Sequence, residues 1–129
     1  MKLLLDTNAY SALARGEPAV AERVRKARLI VMSSIVVGEL LYGFRCGNRL
    51  EVNCGQLDAF LARPFVAFAP AGLTTADRFS RIMSLLRRNG RPIPTNDVWI
   101  AAHTMETGTE LLTRDGHFDA VDGLVYSKF

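Results

Sequence analysis

The chain has 129 residues, and 49% of them are apolar. This size and composition predict one domain with its own core, which spans residues 1–129. No apolar run approaches the roughly 18 residues of a membrane span, and Asp6 ends the first apolar stretch too early for a signal peptide, so we expect a cytoplasmic protein. The net charge is +3, with thirteen arginines and three lysines, which permits a nucleic-acid partner without requiring one.

Strand and helix patterns alternate along the first half of the chain. Apolar runs predict the strands, whereas glycine, proline and capping serines mark where helices begin and end. We predict strands at 2–5 and 28–32, and helices at 10–15, at 19–27 and, after a cap at Ser33 or Ser34, at 35–44.

The same alternation continues in the second half. We predict strands at 65–68, 110–113 and 123–127, and helices at 48–62, from a cap at Thr74 or Thr75 to 88, and from 94–97 to Gly108. Strands that alternate with helices indicate one α/β domain whose parallel sheet is covered on both faces.

Four carboxylates occupy unusual positions in this pattern. Asp6 directly follows the first strand and Asp115 directly follows a late one, so both are expected at the edge of the sheet where parallel strands end. Glu39 lies in a helix whose neighbours are nearly all apolar, where an unpaired charge is costly. Asp97 begins a helix, where the amide groups of the first turn favour an anion.

Each acid also has an ordinary structural interpretation. Asp6 and Asp97 could be helix caps, Glu39 could be an exposed helix position, and Asp115 begins a common turn dipeptide. Brought together, however, carboxylates repel by about 4 kcal/mol per pair at 4 Å and an effective dielectric of 20, so the cluster would need cations. Oxygen ligands favour Mg²⁺ or Mn²⁺, one or two of which can promote phosphodiester hydrolysis.

Sulfur and nitrogen ligands play little part in this interpretation. Cys46 and Cys54 have no metal-type spacing and are expected to be reduced, partly buried thiols. His103 and His117 are the only histidines, too few for a zinc site, and are expected to be structural.

Four short motifs resemble, in order, those of the PIN-domain ribonucleases, and more narrowly the VapC toxins of bacterial toxin–antitoxin pairs. They are LLLDTN at the start, GELLYG near 40, TNDVWIAA near 97 and LLTRDGHF near 115. The resemblance spans essentially the whole chain. It implies a three-layer α/β/α sandwich with a central, mainly parallel sheet.

The same resemblance assigns the metal-binding residues. It implies that Asp6, Glu39, Asp97 and Asp115 form the acidic catalytic quartet, with Asp6 and Asp97 holding the principal Mg²⁺ or Mn²⁺ ion and the other two completing the site. Three further residues are expected to support the quartet, by orienting the acids or through water: Asn8, Thr113 and Asp119.

The family's activity and partners follow as expectations. The resemblance implies metal-dependent endonucleolytic cleavage of tRNA or a structured rRNA, a homodimer, and inhibition by a small DNA-binding antitoxin whose C-terminal segment covers the acids. Candidate phosphate contacts are Arg45, Arg49, Arg87, Arg88, Arg91 and Arg114, although a solvated helix end explains the 87–91 cluster better. Candidate groove residues for the antitoxin, most of them better explained by core packing, are Ala12, Leu13, Leu41, Tyr42 and Phe44.

Other functions fit the sequence less well. An aspartyl-phosphate phosphatase would need a second aspartate where Asn8 stands, and a response-regulator receiver would need a lysine from a late strand, where only Lys128 is available. A housekeeping PIN nuclease of RNA processing, or a non-catalytic PIN-like module that binds RNA, stays open.

Overall fold

The computed structural model describes residues 1–129 and contains a five-stranded sheet with six α-helices. The strands are β1 (Lys2–Leu5), β2 (Leu29–Ser33), β3 (Val66–Ala69), β4 (Glu110–Thr113) and β5 (Tyr126–Lys128). The helices are α1 (Thr7–Ala14), α2 (Pro18–Lys26), α3 (Ser34–Cys46), α4 (Leu50–Leu61), α5 (Leu73–Arg88) and α6 (Thr95–Thr107). A short 3₁₀ helix, Gly116–Ala120, follows β4. None of the helices is long and apolar enough to cross a membrane.

All five strands are parallel, in the order β3-β2-β1-β4-β5. The order reverses between β1 and β4, whose register places Leu5 opposite Leu112. Ligand sites in open parallel sheets form beyond the carboxyl ends of the strands at such a reversal. The residues that follow Leu5 and Thr113 therefore lie at the position where a site is expected.

The sheet is covered on both faces, which confirms the predicted three-layer α/β/α architecture. Right-handed crossovers place α1 to α4 on one face and α5 and α6, which connect β3 back to β4, on the other. Leu3, Leu4 and Leu5 are all fully buried, as expected for a central strand covered on both faces. Stacked rings of Phe79 and Trp99, with centroids 4.0 Å apart, join α5 to α6.

Several predicted element boundaries differ from those observed. The first helix starts at Thr7, directly after β1, because the Asp6 side chain caps it. Helix α5 starts after Gly72, so the predicted cap at Thr74 or Thr75 is wrong: Thr75 is the third helical residue, and its hydroxyl accepts a hydrogen bond from the Gly72 amide at 2.9 Å. The last strand begins at Tyr126, beyond a turn in which Gly123 has a φ of +81°.

Candidate active site

Asp6 is fixed at the carboxyl edge, the edge of the sheet where the strands end. Its Oδ1 accepts a hydrogen bond from the Ala9 amide at 2.8 Å, and its Oδ2 accepts one from the Thr113 hydroxyl at the end of β4. Its own amide donates to the Leu112 carbonyl at 3.3 Å, which continues the β1–β4 ladder. Only 5% of Asp6 is exposed. The residue is thus both a helix cap, as one sequence interpretation suggested, and a buried acid at the sheet's point of reversal.

Asp97 and Asp115 meet through a histidine. Asp97 lies in the first turn of α6, and Asp115 caps the 3₁₀ helix, where its Oδ1 accepts from the His117 amide at 2.8 Å. The His117 imidazole Nδ1 lies 3.2 Å from Asp97 Oδ2 and 3.0 Å from Asp115 Oδ2. One ligand atom from each of the three residues falls within 4.8 Å of the others. Two of the predicted acids therefore face a common point.

Glu39 is held from two sides at the same edge. Its Oε1 accepts a hydrogen bond from the Thr7 hydroxyl at 2.6 Å, and its Oε2 accepts one from the Asn96 side-chain amide at 3.2 Å. Thr7 follows Asp6 and Asn96 precedes Asp97, so these two bonds tie α3 to the beginnings of α1 and α6. The glutamate in the apolar helix is thus oriented toward the other acids.

The carboxylates influence one another electrostatically. Burial raises the pKa of Asp6 to about 6, although the hydrogen bonds from Thr113 and Ala9 oppose the shift, and the charges of Asp97 and Asp115 add to it. Burial also raises the pKa of Asp97; His117 opposes that shift, and Asp115 and Glu39 reinforce it. The negative charges of neighbouring acids thus contribute to the raised pKa of both Asp6 and Asp97.

This donor set fits a divalent cation. The Asp6 and Glu39 oxygens each accept one hydrogen bond and keep a further lone pair, while Asp97 and Asp115 approach a common nitrogen. A cation would relieve the repulsion that contributes to the raised pKa values of Asp6 and Asp97. Carboxylate oxygens suit Mg²⁺ and Mn²⁺. Asp97 and Asp115 belong to one group of ligand atoms within 4.8 Å of one another. The role of Asp6, together with Asp97, in holding the principal ion stays a prediction.

The supporting residues are placed differently from one another. Thr113 contacts Asp6 directly, and its hydroxyl also accepts a hydrogen bond from the Asp115 amide at 3.0 Å. Asn8 is exposed, and the neighbouring Thr7 contacts Glu39 instead. Asp119 accepts a hydrogen bond from the Tyr126 hydroxyl at 3.3 Å and lies 4.0 Å from Arg91.

Sequence reasoning did not identify Thr7, Asn96 or His117 as site residues. Each is adjacent or nearly adjacent to a predicted acid, and that proximity was the available signal. The decisive contacts of Thr7 and Asn96, however, span 32 and 57 positions of sequence. A local sequence pattern cannot predict contacts between residues that lie so far apart in the chain.

The arginines predicted to contact phosphate lie at the protein surface. All six predicted phosphate-contact arginines are exposed. Arg114, which precedes Asp115, pairs with Glu17 at 2.8 Å and lies over the Phe129 ring, 4.6 Å from its centroid. Its guanidinium therefore connects the residue that precedes α2 with Phe129.

Comparison with known families agrees with the fold and the four motifs. Residues 3–124 match the PIN domain family. The chain therefore belongs to the PIN-domain family, as its sequence motifs predicted.

Within that family, the similar proteins are VapC ribonucleases. The chain is 30% identical over 128 residues to "tRNA(fMet)-specific endonuclease VapC" of Shigella flexneri. The alignment covers 96% of this chain and 95% of that protein. It is 29% identical over 119 residues to "Ribonuclease VapC1" of Haemophilus influenzae strain R2866, and the alignment covers 89% of this chain and 87% of that protein. The structure of VapBC-1 from nontypeable Haemophilus influenzae superposes with a TM-score of 0.85 at 28% identity, over 99% of this chain and 98% of that one. The predicted VapC resemblance is thereby confirmed.

Proposed function

We propose that this chain is a metal-dependent endoribonuclease that acts as the toxin of a VapBC-type toxin–antitoxin pair. The observation that carries the proposal is the convergence of Asp6, Glu39, Asp97 and Asp115 on the carboxyl edge, at the reversal between β1 and β4. Carboxylates that lie this close together repel one another, and without a cation their repulsion destabilises the fold. A nuclease that binds divalent ions does use them.

The residues of the chain would hold the cation and orient one another around it. Asp97 and Asp115 would bind Mg²⁺ or Mn²⁺ directly, while Asp6 and Glu39 add negative charge and further oxygen ligands. When bound, the ion supplies activation of water and neutralisation of phosphate charge for phosphodiester hydrolysis. Thr113 fixes Asp6, and Thr7 together with Asn96 fixes Glu39, so the acids keep their geometry before substrate arrives.

The substrate would be a structured RNA, and tRNA is the first candidate to test. The relative from Shigella flexneri is named as a tRNA(fMet)-specific endonuclease. Exposed arginines supply the sequence-independent phosphate contacts that any such RNA needs, and Arg114 stands beside Asp115. A structured rRNA loop is the next substrate to test.

The toxin itself would be a homodimer. Its partner would be a small DNA-binding antitoxin. The antitoxin's apolar segment would lie along α1 and α4, where Leu13, Phe60 and Arg63 line two neighbouring surface grooves of about 270 and 540 Å³. A basic residue beyond that segment would then reach the acids and compete with metal and RNA. An RNA substrate and a DNA-binding partner both imply action in the cytoplasm.

The first experiment is cleavage of total tRNA and rRNA by the purified protein in Mg²⁺ or Mn²⁺. EDTA and the Asp6→Asn variant serve as parallel controls. Discrete fragments that disappear in both controls are expected. Full cleavage by Asp6→Asn, or cleavage that survives EDTA, would overturn the proposal. Metal binding without cleavage of tRNA or rRNA would contradict the substrate class, and the absence of both would favour a non-catalytic RNA-binding module.

The toxin role is tested with the antitoxin encoded beside this chain. The complex with full-length antitoxin should be inactive, and removal of the antitoxin's C-terminal segment should restore cleavage. Persistent inhibition by the truncated form would contradict occlusion of the acids. The absence of any adjacent antitoxin gene would instead indicate a housekeeping PIN nuclease.

A further inference from the structure

The His117 imidazole lies between two acids of the candidate site instead of extending into solvent. Its Nδ1 is 3.2 Å from Asp97 Oδ2 and 3.0 Å from Asp115 Oδ2, although the side chain is 51% exposed. An exposed histidine is free to choose other rotamers, so this placement requires a cause.

The backbone fixes where the imidazole can go. The His117 amide donates to Asp115 Oδ1 at 2.8 Å, and the next residue, Phe118, is only 1% exposed and anchors the 3₁₀ helix in the core. The backbone that carries the ring is therefore anchored to the core, on the same short segment that positions Asp115.

The distances match the spacing of neighbouring ligands around a metal ion. Adjacent ligands of an octahedral ion with bonds of about 2.1–2.2 Å lie about 3 Å apart. Both nitrogen-to-oxygen separations have this value, and a single N–H cannot point well at two acceptors at once. One ligand atom from each of the three residues lies within 4.8 Å of the others, a span that a single cation can bridge.

We propose that His117 Nδ1 is a ligand of the divalent ion, together with Asp97 and Asp115. The site would then have mixed nitrogen and oxygen ligands, whereas the sequence predicted oxygen alone. Imidazole suits first-row transition ions, while Mg²⁺ prefers oxygen and retains several waters. His117 would thereby make the site selective for Mn²⁺ over Mg²⁺.

This inference rests on the proposed function, because it needs the acids to bind a cation, but its test reads nitrogen coordination and not activity. Mn²⁺ is bound to the untagged protein, and pulsed electron paramagnetic resonance records modulation from a directly coordinated nitrogen. A second sample is grown with ¹⁵N-labelled histidine. We expect a ¹⁴N signal that changes to ¹⁵N with the label and disappears in His117→Gln.

Affinity provides the second measurement. Loss of partners around metal ligands costs 10–100-fold in affinity, so removal of a ligand in His117→Gln should weaken Mn²⁺ binding by at least about tenfold, and Mg²⁺ binding by less. The matched control is Lys128→Gln, which removes an exposed charge whose Nζ lies close to Gly116 on the same turn. That control should leave the Mn²⁺ to Mg²⁺ preference unchanged.

The outcomes separate the two proposals. Bound Mn²⁺ without histidine nitrogen modulation would overturn the inference about His117 and leave the nuclease assignment standing. No Mn²⁺ or Mg²⁺ binding, together with undiminished cleavage in Asp97→Asn, would overturn the nuclease site itself and the inference with it. Should His117→Gln fail to fold, the isotope-labelled wild type still decides the matter.

Discussion

The Thr113 hydroxyl donates a hydrogen bond to the Asp6 carboxylate across the two central strands, and it also accepts one from the Asp115 amide at 3.0 Å. One fully buried side chain thus connects two acids that lie 109 positions apart in sequence. The register that pairs Leu5 with Leu112 brings the next residues, Asp6 and Thr113, side by side.

Thr113→Val should impair the site more than its small change in volume suggests. Valine leaves the Asp115 amide and one Asp6 oxygen without a partner, at a cost of about 1–3 kcal/mol in the free energy of unfolding. Because the Thr113 hydrogen bond lowers the pKa of Asp6, its loss should raise that pKa further. We expect the acid limb of the pH–rate profile to move to higher pH.

Thr104→Val is the matched control for this variant. Thr104 is equally buried, but its hydroxyl donates to the Ile100 carbonyl within α6 at 2.8 Å. The Thr104→Val variant should lose some stability, but the acid limb of its pH–rate profile should not move. A shift of equal size in both variants would show that Thr113 acts through general destabilisation and not through Asp6.

Asp6 should make the metal-free protein less stable as the pH rises. Its pKa is about 6 in the folded state against an ordinary value of 3.8, so between these values the folded state binds more protons than the unfolded one. The stability that protonated Asp6 contributes to the folded state is complete below pH 4 and is lost as the pH rises through 6. The shift corresponds to about 3 kcal/mol as an upper limit.

Asp6→Asn should remove this dependence. Urea unfolding in EDTA at pH 4.5, 6 and 7.5 should show a variant that is more stable than wild type at pH 7.5 by about 1–2 kcal/mol, since asparagine also loses one of the two hydrogen bonds. Wild-type stability that does not fall between pH 4.5 and 7.5 relative to the variant would contradict the raised pKa.

The predictable part of this site follows from strand order. Three consecutive leucines and then Asp6 marked a buried strand and its end, and parallel pairing brought Asp6 and Asp115 to one edge. Glu39 was suspected because a charge on an apolar helix requires a partner. The partners themselves, Thr7 and Asn96, come from the beginnings of two other helices, so only the packed structure reveals them.

Two further differences have the same origin. His117 is predicted to be structural because two histidines do not make a zinc site, and its contacts with Asp97 and Asp115 appear only once the 3₁₀ turn is formed. The cap of α5 was expected at a threonine, but Thr75 acts from inside the helix, where its hydroxyl accepts from Gly72. Local preference identified the residue type and not its position.

Thr7 and Asn8 provide a direct comparison of structure with sequence. Thr7→Val removes the 2.6 Å hydrogen bond to Glu39, and loss of a partner that orients a metal-site carboxylate lowers activity by about 10–100-fold. Asn8→Ala changes an exposed side chain beside it and should stay within about twofold of wild type. Initial cleavage rates at saturating Mn²⁺ measure both. A larger loss in Asn8→Ala than in Thr7→Val would favour the sequence-based assignment of Asn8.

A second buried group should give the opposite pH dependence. His103 is 1% exposed; its Nδ1 lies 2.7 Å from the Ser33 hydroxyl, and the ring also has a hydrogen bond with the Pro70 backbone. Burial lowers its pKa below 6.5, an effect that the charge of Glu106 and the Pro70 hydrogen bond oppose. Below pH 6.5 the unfolded chain therefore binds a proton that the folded chain does not. Stability is complete above pH 6.5 and is lost as the pH falls.

The two contributions overlap between pH 4 and 6.5, so His103 is best measured in the Asp6→Asn background. The residues share no hydrogen-bond partner, and their effects should add. There, unfolding free energy should fall from pH 7 to 5 by at most about 1.4 kcal/mol per pH unit. Adding His103→Gln should lower stability at pH 7 by about 1–2 kcal/mol and remove that slope. A slope that survives the second substitution would assign the acid sensitivity to another group, because glutamine does not titrate.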